Sequence, residues 1–178
     1  MTKDESPTRK GTRPARAAAK RSTGKATRKQ PDSTGEAPPA PVAAGPVPMA
    51  RVPMKVRWGD LDAFNHVNNA TFLVYAQEAR LEWLAGVEGT WFDDSMMPVV
   101  AAANVNFRRQ LAWPARIAVE LAATRIGTSS VTIAHRIVAE DDAGCLYADG
   151  EVVMVWIDPA SGRSVPLPEP IRTACAGD

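Results

Sequence analysis

The chain has 178 residues, enough for one domain and short for two. Its net charge of +1 hides two opposed pieces: residues 1–50 carry ten Lys/Arg against four acids, and residues 51–178 carry eleven against sixteen. No run approaches the ~18 apolar residues of a membrane span, and Cys145 and Cys175 have neither metal-type spacing nor a disulfide framework, which fits a reducing cytoplasm.

Residues 1–48 are rich in Lys, Arg, Thr, Ala, Pro and Gly, with almost no large apolar residue before Val42. Such a segment cannot bury enough surface to offset chain entropy. A disordered basic tail is expected, closed by the extended linker 36-EAPPAPVAAGPVP-48. Its charge suits nucleic acid or another anionic surface, and equally a solubilising extension. The N-terminus lacks the apolar core of a secretory signal. A folded domain is expected over 49–173.

Residues 52–58, VPMKVRW, read as a strand led in by Pro53. A helix follows over 69–86. Phe72, Tyr75, Ala76, Ala79 and Trp83 recur at three- and four-residue steps and share one face. Gly86 and Gly89 supply a stop. The period then switches to two. Val99, Ala101, Ala103, Val105 and Phe107 alternate with Asn104, Asn106 and Arg108, and Ile117, Val119, Leu121 and Ala123 repeat the pattern. Residues 130–140 alternate more loosely. Residues 151–157, EVVMVWI, are apolar on both faces, as a central strand would be. Gly127 with Thr128 and Ser129, then EDDAG at 140–144, supply hairpin turns. One helix followed by about four antiparallel strands predicts an α+β fold whose sheet wraps the helix.

Ahead of the helix stands 57-RWGDLDAFNHVNN-69. Asn68 and Asn69 sit where the helix begins, and Asn is a favoured N-cap. The first turn leaves backbone N–H groups that favour negative charge, including a carbonyl oxygen becoming an oxyanion. Asp62 lies seven residues before Asn69, on a loop that can fold back over this end. A carboxylate facing such donors can attack an acyl carbonyl, or activate water to do so. The same residues also make ordinary turns and caps. Two histidines, His66 and His135, have no metal-ligand spacing. The chain has no GxSxG elbow, P-loop or GxGxxG.

The string W-G-D-L-D-A-F-N-H-V-N-N, with the helix carrying QEAR and EW, resembles the hotdog-fold acyl-CoA thioesterases of the 4-hydroxybenzoyl-CoA thioesterase type. The resemblance covers roughly 52–172. It implies a long antiparallel sheet wrapped around a central helix, and acyl-CoA as substrate without a cofactor. It implies Asp62 as the catalytic carboxylate and the Asn69 N–H as the group polarising the thioester carbonyl. His66 and Asn68 are placed beside the substrate. Glu78 is the helix carboxylate used as catalyst in a related subgroup, here ranked behind Asp62. Arg108 and Arg109 are candidates to meet the CoA phosphates, against the alternative of a solvated strand end. A homodimer or homotetramer with a shared site is implied, its sheets joined through the apolar strand 151–157. The Pro-Ala-Gly run common after the catalytic Asp is replaced here by Ala-Phe-Asn-His, so the aromatic substrate does not carry over. The alternative function is a non-catalytic acyl-CoA- or protein-binding module of the same fold.

Overall fold

The computed structural model describes residues 48–176. The tail and linker expected over 1–48 lie outside the described residues but for Pro48. The elements run β1 (Ala50–Lys55), a 3-10 turn (Trp58–Asp60), α1 (Asn69–Ala85), β2 (Met97–Phe107), β3 (Arg116–Ile126), β4 (Ser130–Ala139), β5 (Leu146–Ile157) and α2 (Glu169–Ala176). The strands form one antiparallel sheet in the order β1-β3-β4-β5-β2. This is the α+β architecture expected, a five-stranded sheet with one long helix against it.

The helix stripe read from the sequence is the buried one. Phe72, Tyr75, Ala76, Ala79 and Trp83 are all buried, together with Arg80 and Leu84. They meet β1, β3 and β4 and join Ile117, Val119, Leu121, Val131, Ile133 and Ile137 in one core. Each large aliphatic side chain fully buried there contributes about 1.5–3 kcal/mol relative to exposure. Gly86 caps α1 and returns its N–H to the Trp83 and Leu84 carbonyls. Gly89 has φ +94°, and a Cβ there would lie 2.9 Å from Pro170 Cγ, so this turn needs glycine.

Three expectations are corrected. First, the strand expected at 52–58 ends at Lys55, because Arg57 and Trp58 turn into the 3-10 segment that the Asp60 carboxylate closes. Pro53 is tolerated because β1 is an edge strand, paired only with β3. Second, β5 begins at Leu146, not at 151. Gly150 and the acids beside it mask the strand signal. Glycine is required there because a Cβ would lie 2.1 Å from the Asn104 carbonyl oxygen on β2. Strand β5 is central as expected, but both its edges are taken, by β4 and by β2. It cannot join two sheets; the open edges belong to β1 and β2. Third, the period-two pattern of β2 is not a burial pattern. Most of Val100–Phe107 is exposed on both faces; Val105 packs against the core, and Phe107 meets the Phe72 ring of α1. Helix α1 lies mainly against β1, β3 and β4 and leaves most of this edge uncovered. Helix α2 carried no sequence expectation; its Ile171 is fully buried.

Among the described residues three polar side chains are buried, Asp60, Arg80 and His135. His135 on β4 is 1 % exposed, with neither ring nitrogen hydrogen-bonded among the described residues. Burial, then the Arg80 charge, lower its pKa from 6.5 to about 4. The folded protein holds it neutral while the unfolded chain takes up a proton below about pH 6.5. The unfolded state therefore binds more protons as pH falls from 6.5 towards 4, and stability declines across that window. Urea unfolding at a series of pH values is expected to give this slope in the native chain and to lose much of it in His135→Gln.

Candidate functional site

The site begins with a buried carboxylate. Asp60 is 6 % exposed and holds three groups together. It accepts the Arg57 N–H at 2.7 Å, the Arg57 guanidinium at 2.9 Å and the Tyr75 hydroxyl at 2.7 Å. Its own carbonyl accepts the Asn68 N–H at 2.9 Å. Burial alone would push this carboxyl up, but the bonds from Arg57 and Tyr75 outweigh it and hold the group below the ordinary carboxylate range. The Tyr75 hydroxyl is driven up by burial and by Asp60. The loop's entry is thus tied to the middle of α1.

Between these ties the chain makes a tight excursion. Leu61 and Val67 bridge antiparallel, and the Val67 N–H donates to the Leu111 carbonyl at 2.7 Å. Asn65 takes the left-handed conformation at φ 64°, which asparagine tolerates. Oδ1 of Asp62 accepts the Phe64 N–H at 2.8 Å and the His66 N–H at 3.3 Å. The Asp62 N–H donates to the His66 carbonyl at 2.7 Å. One carboxylate oxygen thus orients the group, while Oδ2 has no hydrogen bond among the described residues. Phe64 stands at the tip, 81 % exposed.

At the helix start the caps are selective. The Asn68 side chain accepts the Ala70 N–H at 2.9 Å, and its carbonyl accepts the Thr71 N–H at 2.9 Å. The Asn69 N–H, in the same first turn, is left without a partner among the described residues. It carries the positive end of α1.

Asp62, His66 and Asn69 line one cavity of about 300 Å³ with Val67, Phe72, Phe107, Arg108, Arg109, Gln110 and Leu111. Asp62 of the loop and Asn69 at the helix start therefore line one cavity. Phe72 and Phe107 meet edge to face at 5.3 Å and form its apolar wall. Arg108 lines the cavity but is engaged with Asp149 through two bonds of 2.8 and 3.0 Å. Arg109 donates to Cys145 Sγ at 3.1 Å and is otherwise exposed. Asn68 acts through the cap and lies outside the lining. Glu78 is exposed on α1 and is not part of the cavity.

Sequence reasoning missed Tyr75 as the partner of Asp60, and Phe72, Phe107, Gln110 and Leu111 as walls. Tyr75 was assigned to the apolar stripe, where its ring lies. Only the polar tip of a tyrosine on that stripe signalled a buried acceptor.

A model of the Thioesterase-like superfamily matches residues 56–175. A structure from Xanthomonas campestris, provisionally named an acyl-CoA thioesterase, is 55% identical, covers 63% of this chain and 95% of its own, and superposes with a TM-score of 0.59. The long-chain acyl-CoA thioesterase FadM of Escherichia coli is 27% identical over 121 residues, 67% of this chain and 91% of its own. A 1,4-dihydroxy-2-naphthoyl-CoA thioesterase from Synechocystis shares the fold at 21% identity and a TM-score of 0.65, over 71% of this chain and 94% of its own.

Two aspartates two residues apart thus have different environments, and their substitution is expected to separate cleanly. Asp60→Asn removes the charge from three donors and should cost about 2 kcal/mol, the scale of a charged hydrogen bond. Asp62→Asn should cost much less, because its loop is exposed and its amide oxygen still accepts from Phe64. Denaturant unfolding of both variants beside the native chain measures the difference.

Proposed function

Because the chain belongs to the thioesterase-like superfamily, we propose that it is an acyl-CoA thioester hydrolase in which Asp62 and the Asn69 amide act on one carbonyl. The observation that carries this is the shared cavity. Asp62, oriented through one carboxylate oxygen and with the other unbonded among the described residues, lines the same cavity as Asn69, whose amide the cap leaves free.

The carbonyl oxygen of the thioester accepts from the Asn69 N–H. As the carbon becomes tetrahedral, negative charge grows on that oxygen, where the helix end stabilises it. Oδ2 of Asp62 either attacks the carbon itself or takes a proton from a water that attacks. The C–S bond then breaks, and the CoA thiolate leaves and is protonated. In the nucleophilic route, water next cleaves the acyl–Asp62 anhydride. Both routes consume one water and release one carboxylic acid and one CoA thiol. His66 and Asn68 serve by shape, one as cavity wall and the other as the cap that orients the Asn69 amide. Arg109, without a carboxylate partner among the described residues, is the cation best able to meet a CoA phosphate; Arg108 would have to leave Asp149 to do so. Glu78 is given no role in the chemistry.

Asp62→Asn keeps the shape and removes the charge. Thiol release from an acyl-CoA panel should fall at least ~10²-fold, the scale of a lost positioned base or nucleophile. Affinity for a non-hydrolysable analogue should change little. Thiol release from no member of the panel by the native chain would instead support the binding-module reading.

We also propose that the working unit is at least a dimer, formed along the open β2 edge. Val100 and Phe107 on β2 and Leu73, Val74 and Leu81 on α1 are all exposed, and large exposed apolar side chains of this kind mark protein–protein contacts when they are contiguous. Light scattering at micromolar concentration should give at least twice the mass of one chain. A fully active monomer would contradict it.

A further inference from the structure

A second cleft opens beside the candidate site. It measures about 760 Å³, within the size range of small-molecule sites. One strip of chain joins the two. Arg109 and Leu111 line the first cavity, and Trp113 and Arg116 line the second. Leu111 and Trp113 are two residues apart, at most about 7 Å of chain. The strip is held in place from both sides. The Tyr147 carbonyl accepts the Arg108 and Arg109 N–H groups at 2.8 and 3.1 Å, and the Leu111 carbonyl accepts the Val67 N–H at 2.7 Å. Farther along, the Ala115 carbonyl accepts the Val56 N–H at 3.0 Å.

The lining of the second cleft has the chemistry of a nucleobase site. Trp113 is 49 % exposed, and Pro114 and Tyr147 add to the flat apolar wall. A half-open aromatic face is a stacking platform for a base. The charged groups of the lining are not equivalent. Arg116 is engaged by Glu140. Lys55 and Asp141 make no salt bridge among the described residues. Lys55 is thus available to a phosphate, and the Asp141 carboxylate to an exocyclic amine such as that of adenine. Arg109, on the strip between the cavities, is a second cation for phosphate.

We propose that this cleft binds the adenine nucleotide of CoA, with Trp113 as the stacking platform, so that the chain selects CoA thioesters over thioesters carried on a protein. The thiol end of the cofactor-sized leaving group lies at Asp62 and Asn69, its phosphates pass Arg109 and Lys55, and its base enters the second cleft. A carrier protein presents a phosphopantetheine arm without a base, and would leave Trp113 unused. The site rests on the thioesterase reading for the position of the thioester, though not for its affinity for the nucleotide.

The test uses the full chain and two readouts. In the first, binding of adenosine 3′,5′-bisphosphate is measured by calorimetry. The native chain and Asp62→Asn should bind it, and Trp113→Ala should bind at least ~5-fold more weakly, the low end for loss of one stacked base. Trp113→Phe, which keeps an aromatic face, should retain most of the affinity. In the second, kcat/KM is measured for octanoyl-CoA and for S-octanoyl-N-acetylcysteamine, which has the same acyl group and no nucleotide. The native chain should prefer octanoyl-CoA, and Trp113→Ala should reduce that preference by a similar factor. Bisphosphate binding without hydrolysis of either thioester would retain the cleft and overturn the thioesterase reading. Hydrolysis of both thioesters, with no bisphosphate binding and a preference unmoved by Trp113→Ala, would overturn the cleft and keep the thioesterase. Equal bisphosphate affinity in the native chain and Trp113→Ala would also overturn it.

Discussion

The Asp60 carboxylate is the constraint on which the site depends. It is buried, and four donor contacts from Arg57 and Tyr75 compensate it. Through Arg57 it closes the 3-10 turn; through Tyr75 it ties that turn to the second turn of α1. With both ends of the 61–67 loop held, Asp62 has little freedom beyond its own side-chain torsions. A carboxylate placed by an unpinned loop would lose much of the advantage of position, because proximity counts only when the geometry is already set.

The cap completes what the pin begins. Asn68 uses its side chain on Ala70 and its carbonyl on Thr71, so the first-turn amide left over is that of Asn69. An anion-favouring helix end is common; here Asn69, whose N–H the cap leaves free among the described residues, lines the cavity that Asp62 also lines. The division of labour between neighbouring residues, one asparagine capping and the next offering its amide, follows from helix geometry alone.

The uneven treatment of polar groups marks the rest of the molecule. On the outer sheet face, charges are paired: Arg136 and Arg51 with Glu120, Arg108 with Asp149, Arg116 with Glu140. Between helix and sheet, Nη1 of Arg80 and both ring nitrogens of His135 have no partner among the described residues. The β2 edge is open, and Leu73, Val74 and Leu81 of α1 are exposed.

Much of this was legible without coordinates. The three-and-four spacing of Phe72, Tyr75, Ala76, Ala79 and Trp83 determined the buried face of α1, because a helix of period 3.6 has only one way to hide five such residues. The strand count and antiparallel order followed from period-two runs broken by turn residues. Capping chemistry and a dense polar string left open both a capped turn and a reaction site, and the choice of Asp62 with Asn69 came from the family resemblance. Other matters needed the tertiary structure. Which aspartate is buried depended on Tyr75, fifteen residues away, reaching back across the fold. That β2 is an edge, and β5 doubly flanked, depended on strand order, which alternation along a strand cannot encode. The start of β5 was hidden by Gly150, whose reason is a close approach of Asn104 from another strand. Burial of Arg80 and His135 together was hidden as well, since each looks ordinary in its own segment and becomes costly only when helix and sheet close over both.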